Sequence, residues 1–378
     1  MVQYVWQTPG WCDFRWHSEA LLRPLGHVRQ AQGRLLGEAI YIGLEMQADV
    51  LAEETVTTAS IEGERLDRNS VRSSVARRLG LPTAGLPATK RNVDGLVEML
   101  VDATANHEKP LTSERLKGWH ASLFPTGYSG MVNILVGDWR QDSKPMHVMS
   151  GPIGKEKIHY EAPPSHRIEA EINRFLEWWK SPPENLDGLL RAALAHFWFV
   201  SIHPFDDGNG RIARAITDMA LAQDERRGNR LYSMSAQISI ERDNYYDVLE
   251  RNQKGDGDVT DWLLWFMGCL ERSIQRSEVE VRHVLLKSRF WHRRSGIALN
   301  ERQQKVVNRL LDVGPDGFEG GLTNRKYRGI TKVSRETVKR DIADLLKKGI
   351  LVKNPGGGRS VSYDLAWTEE DERVIPRT

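Results

Sequence analysis

The chain has 378 residues, with 53 Lys and Arg against 51 Asp and Glu and a net charge of +2. That length exceeds one compact core and predicts two or three folding units, while the near-neutral charge excludes a global basic field, so any nucleic-acid binding must be local. Cys12 and Cys269 give neither a disulfide framework nor zinc spacing; with no signal-peptide pattern and no run of about 18 apolar residues, a soluble cytoplasmic protein with no membrane partner is expected.

A leader carrying Trp6, Trp11 and Trp16 runs into a helix predicted over 47–66, where Leu51, Thr55, Thr58, Ile61 and Glu62 fall on adjacent positions of one face. Taken alone, its segment Thr58-Ala-Ser-Ile-Glu62-Gly63 reads as an ordinary solvated face. The stretch 80–87, with two glycines and two prolines, predicts a linker. Between Met146 and Ile158 a short extended run, broken by Gly-Pro and Gly, predicts a surface hairpin that includes Val148, Met149, Ser150 and Gly151.

The densest chemistry is in His203-Pro-Phe-Asp-Asp-Gly-Asn-Gly-Arg-Ile-Ala-Arg214. An apolar helix over 189–200 leads in, and Pro204 ends it, which puts His203 at a helix exit where an imidazole of pKa about 6.5 can act as a base. Gly208 and Gly210 bracket Asn209, which permits positive φ and close backbone approach. The next helix, predicted to begin near Arg211, turns its free N–H groups into the same loop and suits an anion. Asp207 cannot bind an anion directly; a carboxylate beside phosphate points to a shared hard cation such as Mg²⁺. Arg211 and Arg214 lie three apart on one helical face, where two guanidiniums can clamp phosphate oxygens.

This segment resembles the defining motif of the Fic (filamentation induced by cAMP) family, His-Pro-Phe-x-Asp-Gly-Asn-Gly-Arg-x-x-Arg, at every specified position. The resemblance implies a mainly α fold whose members usually move AMP from ATP onto a hydroxyl side chain of a target protein. It implies that His203 is the general base, that Asp207 holds Mg²⁺, and that Gly208, Asn209 and Gly210 bind the α- and β-phosphates. Arg211 would help neutralise those phosphates and Arg214 would reach the γ-phosphate. The segment Thr58 to Gly63 is similar to the family's inhibitory pattern, Ser/Thr-x-x-x-Glu-Gly/Asn. By that likeness Glu62 pairs with Arg214 and leaves ATP in an unproductive pose. Val148, Met149, Ser150 and Gly151 match a target-docking flap, and Tyr245 and Gln253 the segment near the adenine. The Trp-rich leader resembles the N-terminal region of some bacterial members.

Past residue 275 the composition changes. A charged helix leads to Val306, Val307, Leu310 and Leu311 on one helix, a second, shorter helix over 322–327, and a third capped by Ser334 with Val338, Ile342, Leu345 and Leu346 on its apolar face. Two short strands across Gly356-Gly-Gly then predict a wing. This order resembles a winged helix-turn-helix domain, in which Arg335, Thr337, Lys339 and Arg340 would face DNA and Arg359 would sit at the wing tip. Asp341, Asp344 and Glu336 dilute that face, so DNA and a docking protein both stand as expected partners.

The expected architecture is therefore an N-terminal helical region (1–85), a Fic-type helical core with a small β-hairpin flap (86–275), a linker helix (276–298) and a winged helix-turn-helix domain (299–368). The expected function is a protein adenylyltransferase using ATP and Mg²⁺, autoinhibited through Glu62, with a homodimer among the expected assemblies. The alternatives are a nucleotide-sensing transcriptional regulator without transferase activity, and an enzyme that removes AMP. Relatives that transfer phosphate from ATP carry lysine in place of the second glycine, and Gly210 speaks against that reading.

Overall fold

The computed structural model describes residues 3–38, 43–83, 85–150, 155, 157–314, 317–355 and 361–368. Fourteen α-helices, two short 3-10 helices (Val5–Gln7 and Ser165–Arg167) and three two-stranded antiparallel hairpins account for its regular structure among those residues. The chain divides into two compact units, Met1–Ser277 and Glu278–Thr378.

In the first unit α1 (Ser18–Glu38), α2 (Leu44–Ile61), α3 (Arg68–Arg78), α4 (Arg91–Ala105) and α5 (Ser113–Leu123) precede two hairpins. These are β1 (Tyr128–Ser129) with β2 (Val132–Asn133), and β3 (His147–Ser150) with β4 (Lys157–Glu161). Then come α6 (Ile168–Lys180), α7 (Gly188–Ile202), α8 (Asn209–Glu225), α9 (Met234–Ile240), α10 (Arg242–Gln253) and α11 (Thr260–Arg293), which runs past the division between the units. Residues 1–85 and the core fall within one compact unit. Residues 276–293 are the last part of α11, which begins at Thr260.

The sequence explains the centre. From Leu189 to Ile202 every residue of α7 but Arg191 is buried, as a helix apolar on all sides must be. It pairs antiparallel with α8: Arg191 Nη1 donates to Gln223 Oε1 at 2.7 Å at one end, and His196 lies 2.9 Å from Thr217 midway. The tryptophan leader packs into this core, with Trp6 Nε1 donating to Glu161 O (2.7 Å) and Trp11 Nε1 to Glu171 Oε2 (3.1 Å). Arg29 of α1 pairs with Asp187 and Asp224, at the start of α7 and the end of α8. Glu54 of α2 is buried and accepts from Ser233 Oγ (2.7 Å), Ser235 N (3.1 Å) and Ser235 Oγ, which fixes α2 against α9.

In the second unit α12 (Glu301–Val313), α13 (Asn324–Thr331) and α14 (Arg335–Lys347) are followed by β5 (Leu351–Lys353) and β6 (Tyr363–Leu365). Asn300, Thr323 and Ser334 cap the three helices. The second helix starts at Asn324 rather than 322, because Leu322 exchanges backbone hydrogen bonds with Tyr363 and Thr323 is the cap. Val306, Val307, Leu310, Leu311, Val338, Ile342 and Leu345 form the core of this unit, and partly buried Leu346 packs on it. Asp341 is buried and accepts from Arg302 and Tyr327. No helix among the described residues is long and apolar enough to cross a membrane.

Candidate active site

His203 caps the C-terminus of α7 in a left-handed conformation, φ 52° and ψ 58°, uncommon for a residue other than glycine. Its Nδ1 lies 3.2 Å from the Val200 carbonyl, so that nitrogen carries the proton and Nε2 is left as an open lone pair. Burial pushes the imidazole down to about 4, helped by the charge of Arg140, and the group is neutral at physiological pH.

The loop after it is held by its own side chains. Both amide atoms of Asn209 bond the Phe205 backbone, Oδ1 accepting from N–H at 3.0 Å and Nδ2 donating to the carbonyl at 2.8 Å. Phe205 stacks on His120, with ring centroids 4.2 Å apart. Gly208 has φ +81°, and a Cβ there would lie 3.0 Å from the Phe124 ring. The helix starts at Asn209, two residues before the predicted start, so Gly210 is helical and needs no positive φ. Its missing side chain makes room instead: a Cβ would lie 2.2 Å from Glu62 Oε1 and 3.2 Å from Arg214 Nη1. Ile212 N–H makes the first helical bond, to Gly208 O, so the N–H groups of residues 209–211 lack an intrahelical acceptor and carry the positive end of the α8 dipole.

The upstream helix meets this turn from the other side. It ends at Ile61, five residues short of the predicted span, with Gly63 at φ +82°. Gly63 N–H bonds Ser60 O at 3.0 Å and Glu64 N–H bonds Ala59 O at 3.0 Å, a Schellman closure. That closure delivers two carboxylates. Glu62 Oε1 lies 2.8 Å from Arg214 Nη2, and Glu64 Oε2 lies 3.2 Å from Arg211 Nη1. Thr58, fully buried, accepts from Arg214 Nε at 2.6 Å through its hydroxyl and from Nη2 at 3.0 Å through its carbonyl. Arg214 Nη1 and Arg211 Nε are buried without a partner among the described residues. Orphaned guanidinium donors, open helix N–H groups and a gap at Gly210 fit the phosphates of a nucleotide. Asp207 accepts from Ser129 Oγ and from Gly208 N (2.5 Å) and lies 3.7 Å from Arg211.

Tyr245 is buried, its hydroxyl 2.9 Å from His196 Nε2, and Gln253 Nε2 donates to Ser201 Oγ at 3.2 Å. Val148 and Met149 flank a bulge in β3, and Met149 is exposed. Ser150 ends that strand, and Gly151 lies outside the described residues. In the second unit Arg335, Lys339 and Arg340 are exposed on α14, Thr337 is half-buried, and Arg359 lies outside the described residues. Sequence reasoning missed Glu64 and Arg140. The signal for Glu64 was its place just past the helix-ending Gly63; a lone arginine in an irregular segment gave none.

Residues 4–81 match a domain of unknown function (DUF4172), and residues 110–221 match the Fic/DOC family. The chain is 36% identical over 113 residues to a protein named protein adenylyltransferase Fic from Nematostella vectensis, covering 30% of this chain and 25% of that protein. The chain thus spans about a fifth to a quarter of the length of such curated relatives. The fold is similar to that of a Fic family protein from Desulfovibrio desulfuricans G20, at 18% identity and TM-score 0.55, covering 92% of this chain and 95% of that one. It is also similar to a Fic domain containing signaling protein from Bacteroides thetaiotaomicron, at 19% identity and TM-score 0.50, covering 66% of this chain and 96% of that one. From the motif, the helical architecture and the family match together, the chain contains a Fic/DOC family domain.

Proposed function

We propose that this chain is a protein adenylyltransferase, moving AMP from ATP to a hydroxyl side chain of a target protein, and that Glu62 restrains it. The observation that carries the reading is His203, its Nδ1 held by the Val200 carbonyl and Nε2 left open, just before α8, whose Arg214 keeps an unpartnered Nη1 donor. The first-turn N–H groups of α8, with Arg211 and Arg214, supply positive potential for a polyphosphate. His203 Nε2 takes the proton of the incoming hydroxyl as its oxygen bonds to the α-phosphorus. The bond from that phosphorus to the bridging oxygen breaks, and its electron pair leaves with pyrophosphate. General-base help of this kind contributes about 10²–10⁴-fold, the remainder being positioning and charge stabilisation. Asp207 would hold Mg²⁺, a cation that binds through one or two carboxylates and substrate phosphates rather than a protein cage. When bound, it neutralises phosphate charge. Exposed Met149 and Ile158 on the β3–β4 hairpin offer an extended surface to a target.

Glu62 competes with a phosphate for Arg214. Its side chain is 27% exposed against 2% for Arg214, so the acid can swing out while the arginine stays. The test is incubation of wild type, Glu62→Gly and Glu62→Gly/His203→Ala with Mg²⁺ and ATP, read by intact mass. An added AMP on Glu62→Gly that is lost in the double variant is expected; equal modification of both chains would remove His203 from its role.

For the second unit we propose DNA as the partner of α14. Two of the three acids that dilute the basic face are engaged elsewhere, Asp341 with Arg302 and Asp344 with Lys348 and Gln303, while Glu336 pairs with Lys339 on the face itself. Binding to duplex DNA that weakens steeply with salt, and weakens further in Lys339→Ala/Arg340→Ala, is the expected result.

A further inference from the structure

Arg140 lies outside any helix or strand and is 1% exposed, yet among the described residues it pairs with no carboxylate. All its acceptors are carbonyls. Nε donates to His203 O at 2.8 Å, Nη2 donates to Pro163 O, and its backbone N–H donates to Pro204 O at 2.9 Å. Burying a guanidinium without a counter-ion is expensive, and an apolar side chain would fill the space more cheaply. What offsets the cost is location. The cation sits at the C-terminus of α7, where the helix dipole is negative and the last carbonyls lack helical partners.

Three chain segments meet at this side chain: the approach to the β3–β4 hairpin, the exit from it at Pro163, and the His203–Pro204 corner. A second tie runs in parallel, since buried Tyr160 of β4 donates to Ser201 O at 2.7 Å. The corner needs such support because His203 holds a left-handed conformation without being glycine. Among the described residues its ring is aimed by one bond, to Val200 O at 3.2 Å, and Nδ1 lies four bonds along the residue from the carbonyl carbon that Arg140 holds.

We infer that Arg140 is a positioning residue for His203: by gripping the carbonyls of His203, Pro204 and Pro163 it fixes the direction of the imidazole and ties it to the hairpin beside it. This rests on the adenylyltransferase reading only for its kinetic test. An error of about 1 Å in the placement of a base costs on the order of 10²-fold in rate, so the effect belongs in kcat rather than in nucleotide binding.

Two measurements decide it. In the Glu62→Gly background, Arg140→Met is expected to lower kcat at least tenfold with KM for ATP within twofold, and Arg140→Lys, which can still reach one carbonyl, to recover part of the loss. A folded Arg140→Met with unchanged kcat, or a loss of kcat matched by a rise in KM, overturns the proposal. Independently of any transfer, the His203 Nδ1 proton, assigned against His203→Ala by NMR, should be observable in the wild-type chain, broadened away in Arg140→Met and partly restored in Arg140→Lys. An unchanged His203 signal in Arg140→Met overturns the proposal even if Glu62→Gly transfers nothing, the result that would sink the transferase reading alone.

Discussion

Glu62 Oε1 lies 2.8 Å from Arg214 Nη2 and 2.2 Å from where a side chain on residue 210 would begin, so one carboxylate takes one arm of the guanidinium and fills the gap left by the glycine. A ligand that needs that guanidinium must displace the acid. A charge-assisted hydrogen bond contributes about 1.5–3 kcal/mol, so Glu62→Gln is expected to tighten ATP about 10–100-fold. The same change leaves the buried Arg214 without its acid, so the ligand-free chain should melt earlier and gain more from ATP than the wild type. Calorimetry and thermal shift read both effects. Unchanged affinity with an unchanged melting point would remove Glu62 from the site.

Gly210 is a test of space rather than of backbone freedom. Because it is helical, alanine should be favoured by about 1 kcal/mol on propensity alone, which offsets much of the collision with the flexible end of Glu62. Gly210→Ala should therefore fold with nearly wild-type stability and yet bind ATP poorly. The loss should persist in Glu62→Gly, since the new methyl still stands 3.2 Å from Arg214 Nη1. Should Gly210→Ala/Glu62→Gly bind as tightly as Glu62→Gly, the gap is not where a phosphate goes.

What could be read from the sequence follows from what is contiguous. His203 to Arg214 were legible because the α7–α8 turn collects them within twelve residues, so one local hairpin brings a base, a carboxylate and two arginines together. Glu62 was legible only through a family pattern: its partner is 152 residues away, and nothing local on α2 distinguishes it from a solvated acid. Of the two reasons the sequence offered for Gly210, positive φ and close approach, the first does not apply, because the residue is helical. A glycine next to Asn209 suggests positive φ, while its actual constraint is a side chain arriving from another helix. Glu64 and Arg140 were invisible for the same cause, since their partners are set by tertiary packing and, for Arg140, are backbone carbonyls that carry no residue signature. Tyr245 and Gln253 lie on α10 as the pattern required, with buried partners on α7 that an aromatic pair on a helix does not announce.

Glu64 supplies a second, weaker contact of the same kind. Arg211 keeps other company, with Asp207 at 3.7 Å and the Phe124 ring 4.9 Å below its guanidinium, and Glu64 Oε1 also accepts from Asn92 at 2.9 Å. Removing the charge should therefore release less than at Glu62: Glu64→Gln is expected to tighten ATP about threefold, within the range of a partly exposed ion pair. Since Arg211 and Arg214 would hold different phosphate oxygens, the Glu62→Gln/Glu64→Gln chain should show roughly the product of the two effects. An effect of Glu64→Gln only where Glu62 is intact would mean that Glu64 merely steadies the turn that carries Glu62.

Acid should unfold this unit through histidines that never contact a substrate. Burial pushes His120 down to about 4, and it pushes His196 down to about 3 with the charge of Arg214 adding to it. Both are neutral when folded and take up a proton near pH 6.5 when unfolded, so the stability they hold is complete above that pH and lost as pH falls toward 4. Each group costs about 1.4 kcal/mol per pH unit in that window, or about 4 kcal/mol for the pair between pH 6.5 and 5, against a typical total of 5–15 kcal/mol. His196 offers a clean test because its two bonds fix its tautomer. Thr217 donates its hydroxyl to Ala213 O, so it must accept from His196 Nδ1, and Nε2 must accept from the Tyr245 hydroxyl. Glutamine can donate to the first and accept from the second without titrating. His196→Gln is therefore expected to reduce the slope of unfolding free energy against pH between 6 and 5 by about one proton, as measured by urea denaturation. If the slope stays at its wild-type value, His196 is already protonated in the folded chain and the Thr217–His196–Tyr245 chain does not run in the direction given.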